Sequence, residues 1–172
     1  MPVIADSSGL IGLFRIGRLV LLRRLYGRVL IPGAVRREVI DDGKRLRRAG
    51  AEEIEKAVDE GWIQVRPLGR RLQARAASYL RSGGIGQGET EAIVLAASQK
   101  TPVILDDLYA RHLATSLDVE FLGTGAVLLE ARLRDLLDEE EYEESLGELG
   151  RVMWLSPDVL AELLKRGKKV RG

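Results

Sequence analysis

No cysteine occurs in the 172-residue chain, and His112 is its only histidine. Disulfide frameworks, thiolate zinc sites, cysteine nucleophiles and multi-histidine metal centres are therefore excluded, and any chemistry must lean on carboxylates. The chain also lacks an apolar run long enough to span a bilayer. Its first residues, MPVIADSS, have neither the basic region nor the small-residue cleavage site of a signal peptide, so the cytoplasm is the expected location and no membrane partner is expected. An excess of one charge is missing as well: 27 Lys and Arg stand against 26 Asp and Glu, a formal net charge of +1. With so weak a global field, contact with nucleic acid would depend on local basic clusters such as Arg45, Arg47 and Arg48 or Arg70, Arg71 and Arg75. Any single one of these arginines also fits a solvated helix face.

What is present is 45% hydrophobic residues in a length suited to one globular domain with a proper core. The stretch GQGETEAIVLAASQKTPVILDD, residues 86–107, shows how the rest is organised. Gly86 and Gly88 lead into a helical run in which Glu89 shares a face with Ile93 and Ala96, whereas Glu91 points elsewhere. Thr101 and Pro102 break the helix, and Val103, Ile104 and Leu105 form a short strand that stops at Asp106 and Asp107. A carboxylate in a first helical turn also complements the helix dipole, and acids after a strand also cap the next helix.

The same pattern recurs earlier. Val3 to Ala5 read as a strand ending at Asp6, with Ser7 and Ser8 at the start of a helix through Leu10 to Phe14. A second helix carries Leu19, Val20, Leu22 and Leu25 and closes at Gly27. Val29 to Ile31 make a second strand, and Pro32 opens GAVRREVI, where Ala34, Val35 and Val39 form an apolar stripe. Glu38 interrupts that stripe facing inward, so it requires a cation partner, a raised pKa or an edge position open to water. Residues 41–48 read as a loop or frayed helix, a helix follows through Ile54 to Val58, and Trp62 to Val65 form a third strand. Helices are expected over 70–81 and from Asp107 to about Ser116, a strand over 119–122, and a further helix after Gly123, Thr124 and Gly125. Asp138 to Glu144 is a solvated helix start, and Ser156 and Pro157 open a last helix ending in the basic tail KRGKKVRG.

Alternating strands and helices predict a three-layer α/β/α sandwich with a central parallel sheet of about four to five strands and right-handed crossovers. The expected organisation is a catalytic unit over residues 1–135. A C-terminal helical extension, 136–172, packs on the same domain or on a neighbouring subunit and has a frayed basic tail. In such a sheet, sites form outside the carboxyl ends of the strands where strand order reverses, which brings Asp6 toward Asp107. If Glu38 and Glu89 project from helices flanking that crevice, four carboxylates converge without a histidine or cysteine among them. Hard divalent ions such as Mg²⁺ or Mn²⁺ are the natural partners of such a group and typically serve phosphodiester chemistry. Gly84 to Gly88 lacks the lysine and preceding strand of a nucleotide loop, and His112 has no evident nucleophile partner.

The segments IADSSGLI, IPGAVRREV, GQGETEAIVLAA and VILDDLYARHLA, with FLGTGAVLLEA after them, resemble in this order the acidic motifs of PIN-domain proteins over nearly the whole chain. The likeness is greatest to the small prokaryotic toxin ribonucleases of toxin–antitoxin pairs. The resemblance implies a metal-dependent endoribonuclease acting on RNA, with Asp6, Glu38, Glu89 and Asp107 as the acids. Ser8 is implied as the hydroxyl beside the first acid, and Thr124 as a supporting residue. It also implies frequent homodimers and a small antitoxin partner. Glutamate stands third where many members have aspartate, with Glu91 close enough to compete for that assignment. Asp106 stands where a threonine is common and can share or exchange the ligand role with Asp107, the favoured residue of the two. The alternatives are a catalytically silent scaffold that binds RNA or protein, and a phospho-acceptor domain. The latter wants a lysine that FLGTGA does not provide.

Overall fold

Five short runs of aliphatic and β-branched residues become strands in the computed structural model, which describes residues 1–168: β1 (Val3–Ala5), β2 (Val29–Ile31), β3 (Ile63–Val65), β4 (Val103–Ile104) and β5 (Phe121–Leu122). They form one sheet in the order β3-β2-β1-β4-β5, and every pairing is parallel. Strand order therefore reverses between β1 and β4, whose register sets Ile4 beside Val103 and Ala5 beside Ile104. Residues expected at the ends of three strands fall outside them, Leu105 following β4. Trp62 precedes β3, and Val119 is drawn into the preceding turn, where its N–H bonds to the Ala114 carbonyl.

Both faces of the sheet are covered, and the two-residue period of the strands assigns the layers. Val3 and Ala5, Val29 and Ile31, and Ile104 enter one core cluster; Ile4, Leu30, Val103 and Leu105 enter the other. The first cluster is roofed by α1 (Ser7–Arg15), α2 (Val20–Tyr26), α5 (Ala51–Asp59), α9 (Thr124–Leu133) and α10 (Glu139–Val152). The second lies under α6 (Arg70–Leu80), α7 (Gln87–Gln99) and α8 (Leu108–Ser116). Each fully buried aliphatic side chain in these layers contributes roughly 1.5–3 kcal/mol.

The segment after β2 departs from regular helix. α3 (Gly33–Arg36) runs into a π-helical turn, Arg37–Asp41, before α4 (Asp42–Arg45). The turn widens the helix beneath Glu38 while Val39 and Ile40 stay buried in the core. A single π turn inside a helix is uncommon and often found at functional sites.

Beyond α9, the acidic run becomes the start of α10. Asp138 accepts from the Glu141 N–H at 2.8 Å, and Glu141 accepts from the Asp138 N–H at 3.0 Å, a reciprocal cap. α11 (Pro157–Lys168) packs chiefly on α9 and α10, where the buried Tyr142 hydroxyl donates to the Leu163 carbonyl at 2.7 Å. Residues 169–172, which complete the basic tail expected to fray, lie outside the described residues. Among the described residues no helix is long and apolar enough to cross a membrane.

Candidate active site

Asp6 leaves the end of β1 with no exposed surface. It becomes the N-cap of α1, accepting the Gly9 N–H at 2.9 Å and the Ser8 hydroxyl at 3.0 Å. The capping role anticipated for such a residue is thus real. It does not account for the environment, because burial pushes the Asp6 carboxyl from its ordinary 3.8 up to about 7. The two hydrogen bonds oppose that rise, while the charges of Asp106 and Glu89 reinforce it.

Across the strand reversal, β4 delivers Asp106 and Asp107 to the same edge, and the two differ sharply. Asp106 accepts the Thr124 N–H at 2.9 Å and the Thr124 hydroxyl at 2.6 Å, which ties it to the first turn of α9. The Arg111 guanidinium stands 3.7 Å away. Asp107 caps α8 through one oxygen, Oδ1, which accepts the Ala110 N–H at 2.9 Å. One member of the pair is thus engaged through both oxygens inside the protein, and the other leaves Oδ2 without a donor among the described residues.

Glu38 and Glu89 come from the helices on either side. The π-helical turn carries Glu38 to the start of α7, where it accepts the Gly88 N–H at 3.2 Å and the hydroxyl of Ser7. Of the outcomes open to an inward carboxylate here, the structure adopts the edge position, half-buried with two neutral donors. A Cβ at Gly88 would stand 2.7 Å from Glu38 Oε2, so a larger residue there would displace the Glu38 carboxylate. Glu89 accepts the Gly86 N–H at 3.0 Å through Oε2, a cap on α7. Its pKa is raised chiefly by desolvation, with the Asp107 and Glu38 charges adding to the shift. Together Ser7, Ser8, Glu38, Gly88 and Glu89 line a hollow of about 380 Å³, with Ile11 as its apolar wall.

Glu91 is placed otherwise. It accepts the Ala34 N–H at 3.0 Å and the Gln87 side-chain amide at 3.0 Å, and so braces α7 against the first turn of α3. Two residues at the site escaped the sequence reading. Ser7 contacts Glu38 across 31 positions of sequence, which no local pattern reveals. Arg111 donates from Nε to the Leu105 carbonyl at 2.9 Å and lies 5.7 Å from the centre of the Phe121 ring, fixed as the cation beside Asp106. Its signal was faint: Arg111 lies four positions past Asp107, one helical turn on. Gly123 leaves room for it, because a Cβ there would meet Arg111 Nη2 at 2.6 Å.

Among the described residues no three carboxylates are already gathered closely enough to hold a metal ion. The donor chemistry nonetheless fits a hard divalent cation: every candidate ligand is an oxygen, and a bound cation would offset the desolvation and repulsion that raise Asp6 and Glu89.

No curated protein matches the chain. The model of a domain family described as a PIN domain matches residues 2–169, which takes in every strand and every acid discussed above. The chain therefore belongs to the PIN-domain family, a nuclease-type fold, and its parallel sheet with acids at the strand reversal agrees with that.

Proposed function

We propose that the protein is a divalent-metal-dependent endoribonuclease that hydrolyses RNA phosphodiester bonds at the crevice between β1 and β4. One observation carries the reading: a fully buried aspartate with its pKa raised to about 7 sits at the sheet's switch point, with further carboxylates beside it and little internal cation to neutralise them. Asp6, Glu38, Glu89 and Asp107 would hold Mg²⁺ or Mn²⁺. When bound, such an ion supplies Lewis-acid activation of the phosphate and of water at neutral pH.

The chain's own residues prepare that task. Gly9 and Ser8 orient Asp6; Ser7 and Gly88 orient Glu38. Glu89 and Asp107 each use one oxygen for a helix cap, which leaves the other available to a cation. Asp106, hydrogen-bonded to Thr124 and paired with Arg111, would act as a positioning residue that fixes α9 against β4, which favours Asp107 as the ligand of that pair. Glu91 likewise serves α3 and leaves the third position to Glu89.

The motif likeness set out above extends the proposal to a toxin of a toxin–antitoxin pair, acting as a cytoplasmic homodimer with a small antitoxin partner. The C-terminal pair α10 and α11 would then be an extension of the catalytic unit. The test is cleavage of a mixed RNA pool by purified protein with Mn²⁺ or Mg²⁺, with chelator and an Asp6→Asn variant run in parallel. Cleavage that disappears in both controls is the expected result. Cleavage that survives both, or a protein that neither cuts nor binds metal, overturns the reading; the second outcome would favour a silent binding scaffold.

A further inference from the structure

The strand reversal carries one more carboxylate than the proposed ligand set uses, and the extra one is held in a fixture of its own. Asp106 stands close enough to the first acid for Asp6 to feel its charge. A Cβ built on Gly9 would lie 3.2 Å from Asp6 Oδ1 and 3.5 Å from the Thr124 hydroxyl, so little more than one methyl group separates Asp6 from the residue that binds Asp106. Both Asp106 oxygens are nonetheless taken by Thr124, and the side chain is only 14% exposed.

Arg111 completes the fixture. Its Nη2 lies 3.7 Å from Asp106 Oδ1, its Nε donates to the Leu105 carbonyl, and its guanidinium rests over the Phe121 ring. Gly123 makes room for both partners, since a Cβ there would meet Arg111 Nη2 at 2.6 Å and Asp106 Oδ1 at 3.3 Å. With φ at −83°, the position asks for a small residue on grounds of space and not of backbone freedom. An arginine anchored to a carbonyl, a ring and a carboxylate is not free to follow a substrate phosphate. It is placed to balance one acid.

Holding one carboxylate back has a chemical consequence. Ca²⁺ takes about 6–8 oxygen ligands in flexible geometry, whereas Mg²⁺ keeps several waters and binds through one or two carboxylates. Each carboxylate released into the ligand set therefore favours the larger ion. We infer that Arg111, with Thr124, is a positioning residue that withholds Asp106 from the bound ion and so sets the preference of the site for Mg²⁺ or Mn²⁺ over Ca²⁺. This rests on the metal-dependent reading of the crevice. Ion preference then depends on a residue packed against β5, outside the ligand set.

The test is calorimetric titration of the metal-free protein with MgCl₂, MnCl₂ and CaCl₂, without RNA. The parent chain is compared with Arg111→Gln, Gly123→Ala, Asp106→Asn and the double variant Arg111→Gln/Asp106→Asn. The parent should bind Mg²⁺ and Mn²⁺ more tightly than Ca²⁺. Arg111→Gln should raise Ca²⁺ affinity about tenfold or more, and Mg²⁺ affinity by less than about threefold. Gly123→Ala displaces the guanidinium without removing its charge and should shift the ratio the same way, which keeps the test open if loss of the arginine unfolds the chain. Asp106→Asn should keep the parent's preference, and the double variant should lose the gained Ca²⁺ affinity, because the gain needs a free Asp106 carboxylate. An equal rise for all three ions, which loss of charge alone would give, overturns the role of Arg111 and leaves the metal site standing. No change in any ion, or a parent that prefers Ca²⁺, does the same. A parent that binds none of the ions removes the metal-dependent reading and this one together.

Discussion

The two ends of the sheet use the same residue types in opposite ways. At the amino ends of the strands, the Tyr26 hydroxyl donates to Glu130, whose other oxygen pairs with Arg134, while Arg134 also donates to the Leu25 carbonyl at 3.2 Å. Acid, cation and phenol there form a closed set. Burial and the Glu130 hydrogen bond push the Tyr26 hydroxyl far up, so it remains a neutral donor throughout the working pH range. At the carboxyl ends, five acids face one well-placed cation, Arg111, and Asp106 takes up most of it. A satisfied polar cluster adds to stability; an unsatisfied one costs stability and retains affinity for an external cation.

The largest expected effect is at Asp6. Asp6→Asn should lower cleavage by about a hundredfold or more, and the same change should stabilise the metal-free protein at alkaline pH. Because the folded-state pKa of Asp6 is raised, its favourable contribution is fully present below pH 3.8 and disappears as pH rises through about 7. Denaturant melts of metal-free parent and variant should therefore coincide near pH 4 and separate by about 2 to 4 kcal/mol at pH 8, with the variant more stable. A variant less stable than its parent at pH 8 would show that the carboxyl end carries no such cost.

Next comes Gly88→Ala, which places a methyl group against the Glu38 carboxylate. Metal affinity, followed by calorimetry, should fall about tenfold or more. Thermal stability should change little, because alanine suits the first turn of α7 at least as well as glycine. The smallest effect is expected at the other end of the sheet. Tyr26→Phe should cost about 1 kcal/mol in a chemical melt and leave both metal affinity and RNA cleavage at parent levels. Loss of activity there would break the division between the two ends.

Much of the frame was legible because it is local. Val3 to Ala5, Val29 to Ile31 and Val103 to Leu105 are apolar runs bounded by acids, prolines or glycines, and a parallel sheet needs only that alternation with helices to be inferred. The π-helical turn was not legible, since GAVRREVI carries an ordinary helical stripe and the extra residue shows only in the hydrogen bonds. The choices between Asp106 and Asp107 and between Glu89 and Glu91 also turn on distant partners. Thr124 lies 18 positions from Asp106, and Ala34 lies 57 from Glu91. Ser7 and Ser8 are neighbours in sequence, yet the Ser8 hydroxyl serves Asp6 two positions away and the Ser7 hydroxyl serves Glu38.

The pairing of β1 with β4 has a consequence for synthesis. Ile4 meets Val103 across about a hundred residues of intervening chain, so the centre of the sheet is among its most distant contacts in sequence. On a ribosome adding about 5–20 residues per second, β1 must wait several seconds for its partner, held meanwhile by its contact with β2. Until β4 emerges, Asp6 has no Asp106 or Asp107 beside it and the crevice does not exist. The nascent chain thus cannot assemble its acids while its own message is still being read through the first three strands.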